Sequence, residues 1–134
     1  MKIDFAFLCD YAEPSSKINA LGIGFDRIIV RKLPANHPHF SLVIQLRASV
    51  TEVGNKKIEV HLIDEDGRSV IPPLKGEFVI NNPIDREMES IGRVIMEFGM
   101  VKFEKYGAYS VRAIIEGIEM VNLGFKLSLP ISKQ

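Results

Sequence analysis

Val121-Asn122-Leu123-Gly124-Phe125-Lys126-Leu127-Ser128-Leu129-Pro130-Ile131 sets six apolar residues at every second position over eleven. Side chains of a strand point alternately to its two faces, so this spacing predicts a strand with one face in a core. The same two-residue period continues backward through almost the whole chain. Tyr109, Val111, Ala113 and Ile115 predict the preceding strand, with Glu116-Gly117 as a tight turn between the two. Gly92 to Lys105 reads as extended, and its alternation slips from Val94-Met96-Phe98 to Val101-Phe103, which predicts a bulge at Gly99. Phe78 to Ile80 reads as a short strand stopped by Asn81-Asn82-Pro83, and Pro72-Pro73 bars regular pairing just before it. Ile84 to Ser90 is the one helical turn expected, with Asn82 able to cap it and Pro83 suited to its first position.

The N-terminal half follows the same rule. Asp4 to Ala12 alternates, and its Phe5, Phe7, Cys9 and Tyr11 side is expected to face the core. After a turn at Glu13-Pro14-Ser15-Ser16, the first part of Lys17 to Val30 is expected to fold back on that strand as a hairpin. Leu33 to Pro38 reads as a loop, Phe40 to Val50 as a half-buried strand, and Ile58, Val60 and Leu62 as the next, opposite Glu59 and His61. Gly54-Asn55 is read as the short hairpin joining these two strands, and Asp64-Glu65-Asp66-Gly67 as the turn after them. Seven or eight strands with at most one helical turn predict an all-β fold. The expected form is a two-layer antiparallel β-sandwich of the immunoglobulin-like or Greek-key kind, with a closed barrel as the competing arrangement. No repeat or linker interrupts it, so residues 1–134 are read as one domain.

Composition narrows the class of function. The 134 residues carry 17 Lys plus Arg and 17 Asp plus Glu, with 46% hydrophobic residues. A balanced charge offers no cationic excess to release counterions from nucleic acid or to meet anionic lipid, so neither partner is expected. Cys9 is the only cysteine, which excludes an intrachain disulfide and a cysteine-based zinc site, and a reducing cytoplasm is the expected setting. Asp4 and Asp10 interrupt the apolar start that a secretory signal would need, and no stretch reaches the ~20 apolar residues of a membrane helix.

Each constellation that could carry chemistry has a competing structural reading. In Asp64-Glu65-Asp66-Gly67 the carboxylate spacing of a calcium loop fails, since Leu62 and Pro73 would fall at its first and last ligand positions. His37-Pro38-His39 would project two imidazoles to one side of an extended segment, and His61 could complete a metal site only from a neighbouring strand. Cys9 shares a face with Phe5 and Phe7, where burial makes a thiol inert. Gly22-Ile23-Gly24 lacks the third glycine and the helix of a dinucleotide loop. Glu87, Glu89 and Glu97 read as a solvated acidic face. Ala20, Gly22 and Gly24 form a strip of small residues, explained by a covering neighbour or a bend rather than by a docking groove. No catalytic residue and no cofactor is expected. The polar positions in strand-like surroundings are Asp10, Asn19, Asp26 and Arg27, of which Asp10 and Asn19 could face each other across the first hairpin.

Phe7-Leu8-Cys9-Asp10-Tyr11-Ala12, Lys17-Ile18-Asn19-Ala20-Leu21-Gly22 and Phe25-Asp26-Arg27-Ile28 resemble a family of small uncharacterised bacterial proteins. His37-Pro38 before a strand, Asp64-Glu65-Asp66-Gly67 at a turn and Gly107-Ala108-Tyr109-Ser110-Val111 extend the resemblance over most of the chain. It implies a compact β-sandwich without an assigned activity and carries no site residue. The function expected is a non-enzymatic protein-binding or assembly module, pairing with itself or another protein through an edge strand or loops. The alternative is a small-ligand-binding protein or metal-dependent enzyme using loop residues around His37 and His39, with Asp26 and Arg27. A purely structural subunit of a larger assembly is the third reading.

Overall fold

The computed structural model describes residues 1–14, 17–85 and 88–131. Ser15 and Ser16 of the first expected turn, and Glu87 with part of the Ile84–Ser90 helical turn, lie outside the described residues. Among the described residues ten strands form, two more than the upper expectation: β1 Lys2–Cys9, β2 Tyr11–Pro14, β3 Ile18–Leu21, β4 Arg27–Ile29 and β5 Ala35–Ala48, then β6 Gly54–Asp64, β7 Leu74–Ile80, β8 Ser90–Phe103, β9 Gly107–Ile115 and β10 Ile118–Ser128. A 3-10 turn at Val50–Glu52 is the one helical element among the described residues.

The fold is all-β. One sheet has the order β1-β5-β8, a second the order β4-β10-β9-β6-β7, and β2-β3 form a separate hairpin. Among the described residues every ladder is antiparallel except β4 on β10, where Arg27 lies beside Lys126 and Ile29 beside Ser128. The expectation of a wholly antiparallel arrangement fails there. Strand β4 arrives from the hairpin through Gly22 to Asp26 rather than from its neighbour through a tight turn, and such an incoming strand is free to run parallel. The hairpin expected between β5 and β6 does not form either. The chain passes through the 3-10 turn into the other sheet, where β6 pairs with β7 and β9.

Apolar residues from both larger sheets meet in one cluster. It contains Phe40, Leu42, Ile44 and Leu46 of β5, Val60 and Leu62 of β6, Val111 and Ile115 of β9, and Phe125 and Leu127 of β10. Phe40 and Phe98 stack at 4.5 Å, while Phe103 meets Tyr109 edge to face at 4.9 Å. Offset and edge contacts between rings add to the gain from burying them. The Glu116-Gly117 turn is as expected, with φ of 49° and 79°. Strand β10 stops at Ser128, so Leu129 and Ile131, expected to continue it, lie exposed beyond the ladder. Pro130 has no N–H to extend the pairing.

Strand β1 reverses its expected orientation. A register shift between Ile3 and Phe5 inserts Asp4 as an extra residue, so Ile3, Ala6 and Leu8 turn toward the main cluster. Phe5 is left 39% exposed and stacks on Phe7 at 5.8 Å. Phe7 and Cys9 instead join Ala12, Val43 and Ala20 in a second cluster between the three-stranded sheet and the β2-β3 hairpin. A second irregularity lies in β8. Buried Gly92, Val94 and Phe98 give way to buried Val101 and Phe103, and Met100, at φ 49°, takes the slip one residue after the expected Gly99. Opposite Met100 stands Pro38, which has no amide hydrogen for the ladder.

Candidate functional site

Strand β8 is the rim of the three-stranded sheet: among the described residues its ladder partner is β5 alone. The pairing with β5 runs from Ala48 beside Ser90 to Ala35 beside Phe103, so fourteen residues carry a ladder on one side only, with β7 packed close to β8 around Gly92 and Met96. An edge of this kind presents unpaired N–H and C=O groups in strand geometry. Alternation sends Gly92, Val94 and Phe98 inward and leaves Ile91, Arg93, Ile95 and Glu97 on the outer face.

That face is ordered by a ladder of polar side chains crossing all three strands. Arg93 Nε donates to Gln45 Oε1 at 2.9 Å, and Gln45 Nε2 donates to Asp4 Oδ2 at 3.0 Å. Arg47 Nε donates to both Asp4 oxygens at 2.9 and 2.8 Å. The Gln45 bond, followed by Arg47, holds the Asp4 carboxyl below its ordinary pKa. These bonds fix the side-chain directions on the outer face up to β8. Toward the other end of the edge, His39 Nε2 lies 3.9 Å from Glu97 Oε1.

The residues singled out from sequence do not form one site. Asp10 is the bend between β1 and β2, where its N–H donates to Leu21 O at 3.0 Å. Its carbonyl is 2.9 Å from His39 Nδ1, and since a carbonyl only accepts, Nδ1 carries the proton. Asn19 pairs with Glu13 across the hairpin, not with Asp10. Asp26 and Arg27 are exposed at β4, where the Asp26 carbonyl accepts the Lys126 N–H at 2.9 Å. The glycine strip breaks up because Gly22 and Gly24 adopt φ of 66° and 78° in the turn leaving the hairpin.

His37 and His39 make different contacts: His37 lies beside buried Val101 with its ring 5.8 Å from that of Phe40, and His39 reaches Tyr11 and the Asp10 carbonyl. Burial pulls the His37 imidazole below its ordinary pKa. His61 lies in the other sheet, 3.6 Å from Glu59. Among the described residues no three His, Cys, Asp or Glu side chains gather as a metal site.

The Asp64-Glu65-Asp66-Gly67 turn is occupied by the chain itself. Asp64 Oδ1 accepts the N–H groups of Asp66 and Arg68 at 2.9 and 3.0 Å. Lys105 Nζ reaches Asp66 Oδ2 at 2.5 Å and Asp64 Oδ2 at 3.3 Å. Beside it is a cavity of about 430 Å³ lined by Arg68, Lys102, Glu104 and Tyr109. The Tyr109 hydroxyl donates to Lys105 O at 2.5 Å, and burial raises its pKa.

Reading residue by residue missed the rim of β8. Its alternating pattern is plain in Ile91-Gly92-Arg93-Val94-Ile95, but nothing local marks a strand as the last in its sheet. Glu97 reads from the sequence only as part of an acidic face.

Among the described residues no helix is long and apolar enough to cross a membrane. A family model described as a family of unknown function (DUF6941) matches residues 4–128. No curated protein matches the chain.

Proposed function

The chain belongs to that family of unknown function, and we propose that it serves as a non-enzymatic protein-binding or assembly module. The two larger sheets are read as the layers of an immunoglobulin-like β-sandwich, with the open side of β8 as the surface that takes a partner's strand. One observation carries this reading: a strand of fourteen residues whose ladder, among the described residues, is made on one side only. Main-chain hydrogen bonds along such an edge supply affinity, and the alternate side chains supply selectivity. The polar ladder from Asp4 to Arg93 supports it by holding the outer face in a defined arrangement before any partner arrives. The lone buried Cys9 supports a cytoplasmic setting.

Neighbouring amides along a strand point to opposite sides. Of Ile95→Pro and Met96→Pro, one therefore removes a bond to β5 and the other an amide on the open side. The variant that keeps the wild-type melting temperature should lose proteins cross-linked to β8 in the native host, identified by mass spectrometry. Unchanged cross-links in that variant, or cross-links that map to other strands, would refute the reading.

A further inference from the structure

We propose that the partner taken by β8 is a second copy of this chain, paired antiparallel about a two-fold axis through Ile95. The inference rests on the edge-binding reading above and adds the identity and register of the partner.

The regular part of β8 begins at Ser90 and ends at Met100, where φ turns to 49° and the inward side changes. Ile95 is the midpoint of the straight run between those two residues, Ile91 to Gly99. Two copies crossing at Ile95 bring Ile91 to the partner's Gly99 and use that run fully, leaving both kinks outside it.

Face and charge select the same register. A slip of one residue would oppose the inward side of one copy to the outward side of the other, so only shifts that preserve the alternation are open. Crossing at Ile95 sets Arg93 opposite the partner's Glu97, and Glu97 opposite the partner's Arg93. Crossing at Arg93 or at Glu97 would set like charges directly opposite, which is unfavourable between strands. Crossing at Val94 or Met96 would face a charged side chain with isoleucine or glycine. Arg93 keeps its Nε bond to Gln45 in this arrangement, since both lie on the outer face. The Ile91 side chain, 38% exposed, then lies beside the partner's Gly99, which has no side chain to obstruct it. The contact is isologous and closes on itself, so it yields a dimer with a six-stranded sheet rather than an open fibre.

Sedimentation equilibrium over a micromolar to millimolar series tests this. The wild-type chain should dimerise. Arg93→Glu and Glu97→Arg should each raise the dissociation constant at least about tenfold, because symmetry applies every change twice. The double variant R93E/E97R should return it to near the wild-type value. Hydrogen exchange on the wild-type chain needs no substitution and should show β8 amides between 91 and 99 gaining protection with concentration. A monomer throughout the series overturns self-pairing. It leaves the edge-binding reading to the proline pair and other proteins. A dimer indifferent to both charge reversals, or not regained by the double variant, overturns the register.

Discussion

Gly22 sits at φ 66° beneath the Asp10 side chain, and a Cβ built there would run into that carboxylate. A side chain in this backbone region costs about 1–2 kcal/mol on its own. Gly22→Ala should therefore destabilise the protein by more than the backbone cost alone, read by urea denaturation. Asp10→Ala in the same chain should return the part due to the collision, because contacting sites are coupled. Phe40 is a core position of a different kind: it is fully buried and contacts the rings of Phe25, Phe98 and Phe125. Truncation to alanine leaves a cavity, and Phe40→Ala should cost about 3–5 kcal/mol. Asp64 sets an acid limit. Its bonds from Arg68 N–H, then Lys105 and Asp66 N–H, keep its carboxyl below the ordinary 3.8 despite partial burial. A carboxyl depressed in the folded state contributes stability above its unfolded value and loses it as pH falls through the folded one. Stability should decline from about pH 4 downward, and Asp64→Asn should flatten that decline in acid titrations followed by circular dichroism.

Strand β8 shows what one residue does to an element. Met100 is 67% exposed and held at φ 49°, a region where asparagine is far better tolerated than most residues. Met100→Asn should raise stability by about 0.5–1 kcal/mol without moving the slip in alternation, since Val101 and Phe103 remain the buried pair. A higher melting temperature with unchanged protection of Val101 and Phe103 amides is the expected outcome. The alternation itself was legible in the sequence, slip included, because burial on one face leaves a period of two in the residues. The flip of β1 was not legible. Phe5 and Phe7 look like residues of the main core, yet one extra residue at Asp4 turns both away from it, Phe7 into the smaller cluster under the hairpin, and that register shift exists only in pairing with Gln45 and Leu46 of β5.

The molecule as a whole divides into strands paired on both sides and strands at the rims. Among the described residues strands β5, β6, β9 and β10 have two ladder partners each, whereas β1, β4, β7 and β8 have one. Opening an inner strand breaks two ladders, so amides of β5 and β9 should exchange most slowly and those of β4 and β7 among the fastest. Mass-spectrometric hydrogen exchange at low concentration, where no copy covers β8, checks the order. The candidate surface depends on the same distinction. Arg93 and Glu97 are ordinary surface charges until β8 is known to be last in its sheet, and nothing within ten residues of them carries that information. Elements formed by neighbours in the chain, such as the Glu116-Gly117 turn and the β2-β3 hairpin, follow from the sequence because their pairing is local. The ladders of β5 with β8, of β6 with β9 and of β4 with β10 join distant segments. Alternating polarity tells a strand which face to bury and is indifferent to which strand lies beside it. That choice is made by main-chain hydrogen bonds and by the filling of a shared core, both of which exist only once distant segments meet.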